Sequence, residues 1–135
     1  MKRFALDSHM VSPFGGVFYP TGHSMLMFPS IEVASAVGHR LIETEVVNGD
    51  EVYLISPEEI LQTITPTTRA SDSPLPSAGT EGAAVRTYTR LAREGHAALL
   101  VKTRDGDAAQ KVMDVARQAS CSAAERYRRL VIEDL

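Results

Sequence analysis

The chain states one short phrase twice: Gly22-His23-Ser24-Met25-Leu26-Met27-Phe28 returns 73 positions later as Gly95-His96-Ala97-Ala98-Leu99-Leu100-Val101. Each Gly-His opens an apolar run of strand length. Each run leads into a stretch with helical spacing and then into a second apolar run. That order constrains the chain to a duplicated βαβ plan, and it speaks for a fold rather than for a reaction.

The first unit, residues 22–64, starts with a strand from His23 to Phe28. Pro29-Ser30 opens a helix over about 30–45, because Ile31, Ala34, Val37, Gly38, Leu41 and Ile42 recur at three and four residues. Asn48-Gly49-Asp50 ends the connection and Val52-Tyr53-Leu54-Ile55 forms the second strand. Ser56-Pro57-Glu58-Glu59 combines a cap, a first-turn proline and acids at the positive end of the dipole, which predicts a short helix over 57–64. Residues 65–80, rich in Pro, Thr and Ser, read as a loop, and helical spacing resumes over 81–94 until Gly95 supplies a C-terminal cap. The second unit, 95–135, runs strand, Asp105-Gly106-Asp107 turn, helix over 108–120 and a last strand over about 126–132.

Right-handed crossovers make the two strands of each unit parallel, and interlocking the units predicts a single α/β domain of ferredoxin-like sandwich type with an extra helix between the halves. The runs Leu54-Ile55 and Leu99-Leu100-Val101 are apolar without alternation, so both sheet faces need cover. The crossover helices cover one face. The other falls to the 81–94 helix, to a second copy of the chain, or to residues 1–20. Those residues read as an apolar arm (Phe4, Phe14, Phe18, Tyr19) with an edge strand through Phe4, Leu6, Ser8 and Met10.

With 135 residues, 44% of them hydrophobic, the core can be buried without metal or disulfide support, and Cys121 has no partner cysteine. Polar residues at Asp7, Ser8, His9 and Ser12 interrupt any signal-peptide core, and no apolar run reaches the ~18 residues of a membrane span. A cytoplasmic protein is expected. A net charge of −3 gives no general attraction to phosphate backbones, and the basic run Arg126-Tyr127-Arg128-Arg129 lacks the clustered aromatics and glycines of an RNA-binding sheet. Those arginines are expected to face outward along the last strand, keeping the edge polar or pairing with acids of another subunit.

Gly16-Val17-Phe18-Tyr19-Pro20-Thr21-Gly22-His23, Leu75-Pro76-Ser77-Ala78-Gly79-Thr80-Glu81 and Leu130-Val131-Ile132-Glu133-Asp134-Leu135 resemble a family of short, uncharacterised bacterial proteins. The order strand, helix, strand, helix, Glu94-Gly95 and a second βαβ unit resembles, more distantly, the small domain of bacterial general (heat-induced) stress proteins. These resemblances imply a self-associating cytoplasmic ferredoxin-like domain with no catalytic residues to carry over.

Candidate chemistry is sparse. His23 and His96 hold equivalent positions and meet a shared ligand if the units form a pseudo-twofold; otherwise each bonds a neighbouring backbone group. No spacing of metal ligands is present, so neither metal nor cofactor is expected. Thr80 and Glu81 open a helix that carries Arg86, a setting for a small anion or nucleotide, with simple helix capping as the alternative. Glu58-Glu59 and Glu133-Asp134 read as helix-start and solvated chain-end acids, and no serine sits in a nucleophile-elbow setting. The reading is a non-enzymatic domain that forms homodimers or larger assemblies, with a stress-associated or regulatory interaction role. Its alternative is a small-ligand module at 76–86.

Overall fold

In a computed structural model, residues 1–13, 15–70, 79–129 and 131–135 are described. The expected contributions of Phe14, Ser77 and Leu130 lie outside them. The elements run β1 (Lys2–Arg3), β2 (His23–Phe28), α1 (Ile31–Glu43), β3 (Val52–Ile55), α2 (Pro57–Glu59), α3 (Pro66–Ala70), α4 (Gly79–Arg93), β4 (Ala97–Lys102), α5 (Gly106–Ala116), β5 (Ala123–Tyr127) and β6 (Ile132–Asp134). The fold is mixed α+β around one open six-stranded sheet, ordered β1-β3-β4-β2-β5-β6.

The sheet is antiparallel except where β1 runs parallel to β3 at its edge. Its centre is the pairing of β2 with β4, in register from His23 opposite Lys102 to Phe28 opposite Ala97. The strands β2 and β3 of the first repeat are parallel with β4 between them. The strands β4 and β5 of the second are parallel with β2 between them.

Strand alternation sorts the core into two layers. Leu26, Phe28, Leu99 and Val101 face α1 (Ala34, Val37, Leu41) and α5 (Val112, Met113, Ala116). Met25, Met27, Ala98 and Leu100 face α4 (Val85, Tyr88, Leu91), Ile60 and Ile64, and the arm residues Phe4, Val17, Phe18 and Tyr19. The arm therefore packs on its own chain. No helix among the described residues is long and apolar enough to cross a membrane.

Side-chain caps fix several boundaries. Ser30 Oγ accepts from Val33 N–H at the start of α1, Asp105 Oδ1 from Ala108 N–H at the start of α5, and Ser56 with Glu59 forms a reciprocal capping box. Elsewhere the elements depart from the expectations.

The arm forms a strand only at Lys2–Arg3; Asp7 accepts from His9 N–H at 2.8 Å and turns Ser8–Met10 into a short 3-10 helix. The predicted 57–64 helix becomes α2 followed by a π turn over Ile60–Ile64, closed by Thr65 N–H to Ile60 O at 2.9 Å.

Within the predicted 65–80 loop stands α3, because Pro66 occupies its first position, where a missing N–H costs nothing. Thr67 Oγ1 donates to Ile64 O and accepts from Phe18 N–H, bolting α3 to the arm. The single last strand over 126–132 is replaced by a hairpin: Arg128 N–H donates to Val131 O at 2.8 Å and returns the chain as β6.

The repeated Gly-His has a backbone cause. Gly22 lies at φ +81 and Gly95 at φ +92, a region that costs other L-residues ~1–2 kcal/mol. Gly95 closes α4 as a Schellman motif, with Gly95 N–H to Ala92 O and His96 N–H to Leu91 O, both at 3.0 Å. Gly22 donates to Tyr127 O and accepts from Thr103 N–H, both at 2.9 Å, linking the ends of β5 and β4. An added Cβ meets nothing within 4 Å at either position, so Gly22→Ala and Gly95→Ala isolate the conformational penalty. Each is expected to lower stability by about 1–2 kcal/mol in urea unfolding, and the losses should add in the double variant.

Candidate functional site

The structure separates the residues that the repeat pairs in sequence. Because β2 and β4 are antiparallel, His23 lies at one end of the sheet centre and His96 at the other, so the imidazoles share no ligand. His23 Nδ1 contacts Thr21 O at 3.1 Å. His96 Nδ1 lies 2.8 Å from Ser122 Oγ, and its Nε2 lies 4.0 Å from Glu94 Oε2.

A serine, a histidine and an acid in that order suggest nucleophilic chemistry. However, Ser122 N–H already donates to Met27 O at 2.8 Å, which removes the nearest candidate for an oxyanion donor. The trio clamps the chain ahead of β5 to the start of β4.

Thr80 and Glu81 fall in the first turn of α4, as read. Arg86 is exposed and its guanidinium folds back along the helix, 3.1 Å from where a Cβ on Gly82 would stand. Glu81 turns toward the protein: desolvation raises its pKa, and its charge adds to the burial that raises the pKa of Tyr19.

The most chemically unusual group lies between α4 and the terminal hairpin. Alternation along β5 sets Glu125 between Ala123 and Tyr127 on the face that packs against α4. Directly opposite Glu125 on β6 stands Asp134, and Ile132 stands opposite Tyr127. A cleft of about 260 Å³ opens there, lined by Ala83, Ala84 and Thr87 of α4 and by Glu125, Ile132 and Asp134 of the hairpin. Desolvation first, then the facing Asp134 side chain as hydrogen-bond partner and as a charge, push the Glu125 pKa up to about 8, so the pair retains a proton near neutrality.

Behind the carboxyls, the hydroxyls of Tyr88 and Tyr127 are 2.7 Å apart, both side chains fully buried. Desolvation raises both tyrosine pKa values, and the charges of Glu125 and Asp134 raise that of Tyr88 further. The opposite face of the hairpin carries the reverse arrangement: Glu133 takes Arg126 and Arg128, each at 3.7 Å, within the chain itself, and Arg126, expected to face outward, is only 13% exposed and lies beside Gly106 of α5. Reading the last strand as one piece hid the cleft, because it left Asp134 beyond the strand end. The signal that could have found it was the shared parity of Ala123, Glu125 and Tyr127.

Among the described residues no group of three or more His, Cys, Asp or Glu could hold a metal ion. The cleft's walls supply hydrogen-bond acceptors, one exchangeable proton and small apolar surface. No family model, curated protein or solved structure matches the chain.

Two outcomes follow. Folding raises the Glu125 pKa from 4.5 to about 8, so the folded state binds the extra proton between those values. Stability should therefore be fullest below about pH 4.5, as far as this group contributes, and fall as pH rises toward about 8. Glu125→Gln should flatten that part of a urea-stability profile. Tyr88→Phe or Tyr127→Phe should each cost about 1–2 kcal/mol by stranding the other hydroxyl, and the double variant should lose less than the sum.

Proposed function

We propose that this chain is a non-enzymatic binding module, built on a ferredoxin-like core of two interlocked split βαβ units, which holds a small ligand in the cleft between α4 and the β5–β6 hairpin. The strand order β3-β4-β2-β5, with α1 and α5 on one face, supports the architectural part.

The observation that carries the functional part is the cleft itself, where a carboxyl pair stands over small apolar side chains. Its volume of about 260 Å³ gives space for a compact ligand. The site stays on the helix read as the ligand-binding element, but its polarity is reversed: acids, not Arg86, face the space. A ligand with an ammonium or guanidinium group matches them better than an anion does.

Self-association is the second reading, favoured by Val131, a large apolar side chain 54% exposed beside the edge strand β6. A stress-associated role fits either form of binding. Native mass spectrometry of the wild type and of Val131→Lys reads this directly: a dimer lost on substitution supports it, and a wild-type monomer removes it.

Thermal-shift and calorimetric titrations with methylguanidinium, ethylammonium and inorganic phosphate test the ligand reading. The two cations are expected to stabilise the wild type and to lose their effect in Asp134→Asn, with phosphate inert. Stabilisation by phosphate that disappears in Arg86→Ala, or no response to either cation, would overturn it.

A further inference from the structure

We propose that Glu125 and Asp134 form a proton-operated latch, which holds the edge strand β6 against β5 and so keeps the outer wall of the cleft in place. The argument starts from topology. β6 is the terminal strand of the sheet, only Ile132–Asp134 long, and it pairs with β5 alone. Two carboxyl side chains directly opposite each other on an antiparallel pair repel when both are charged, and attract only with a proton between them.

Among the described residues no cation pairs with either carboxyl. From β5, Tyr127 presents a hydroxyl bonded to Tyr88 of α4, while α4 also brings Thr87 to the cleft and the Glu81 carboxylate to the same electrostatic neighbourhood. Tyr19 of the arm donates its hydroxyl to Arg128 O, at the turn of the hairpin. Of the hairpin's cations, Arg126 and Arg128 are committed to Glu133 on the opposite face, and Arg129 is exposed at the turn.

Loss of the shared proton thus sets two negative charges against each other on an edge strand held by three residue pairs. β6 yields first. Its departure removes Ile132 and Asp134, which line one side of the cleft. The raised Glu125 pKa, about 8, places this release just above neutrality.

The latch regulates the cleft on which the functional reading rests, yet its test reads the hairpin alone. Hydrogen–deuterium exchange of the full chain, at about pH 6 and about pH 9 with labelling times scaled for the intrinsic rate, follows peptides covering 128–135. Between about pH 6 and the Glu125 value of about 8 the closed hairpin holds a proton that the opened one does not, so protection of this segment should fall by up to about tenfold per pH unit over that interval while β4 stays protected.

Glu125→Gln should hold the segment equally at both values. Asp134→Asn, on the edge strand, provides the same readout should Glu125→Gln fail to fold. Equal protection of the wild type at both values, or a fall that persists in the folded variants, would overturn the latch. A latch that opens as described in a protein that ignores both cations would overturn the ligand reading alone.

Discussion

Tyr127 is the contact on which the α4 side of the molecule depends. Its ring meets Tyr19 at 5.0 Å and Phe18 at 6.0 Å between centroids, edge to face, which seats the arm. Its hydroxyl meets Tyr88 at 2.7 Å, which ties α4 to the sheet. Its carbonyl takes the Gly22 N–H and fixes the approach to β2. One residue thus joins arm, helix, β5 and the start of the central strand. The carboxyl pair stands two residues along the same face. Burial of two hydroxyls there is tolerable because one donates to the other, and substitution of either breaks that bond.

The duplication explains half of the molecule and the cleft belongs to the other half. α1 and α5 arise from equivalent places in the repeats and cover one face in the same manner. The opposite face is closed by segments with no counterpart in the repeat: the arm, the π turn, α3 and α4. Thr65 and Thr89 hydroxyls, 2.7 Å apart and buried, sew the turn to α4, while Thr67 sews α3 to the arm. The cleft at the hairpin lies where α4 gives small residues, Ala83 and Ala84, to it. The same patchwork buries the apolar arm within one chain, so the arm does not call for a second copy.

Elements bounded by strong local chemistry were legible in the sequence. Ser30 marked a helix start, Gly95 marked the end of α4, and the apolar runs at Met25–Phe28 and Ala97–Val101 marked the buried strands, whereas Asp105, read as part of a turn, caps a helix that begins at Gly106. What was not legible depended on chemistry that turn statistics do not carry. The hairpin after Tyr127 is closed by Arg128 and Val131, without an Asn-Gly or similar signature at those two positions, so one long strand looked natural. Pro66 served as a helix starter where prolines in company read as a loop. The carboxyl pair followed from the hairpin register, because Glu125 and Asp134 are nine residues apart and meet only when the chain reverses between them. His23 and His96, conspicuous in sequence, make unrelated local contacts, with Thr21 O and with Ser122 Oγ.

The central claim is that Glu125 and Asp134 share one proton beside the cleft near neutral pH. Carbon-13 NMR titration of the Glu125 Cδ and Asp134 Cγ resonances measures it without perturbing the protein. The account predicts a coupled pair that keeps one proton at neutrality and releases it in a step near the Glu125 value of about 8. Two independent titrations, both complete in the ordinary carboxylate range of about 4 to 5, would contradict it.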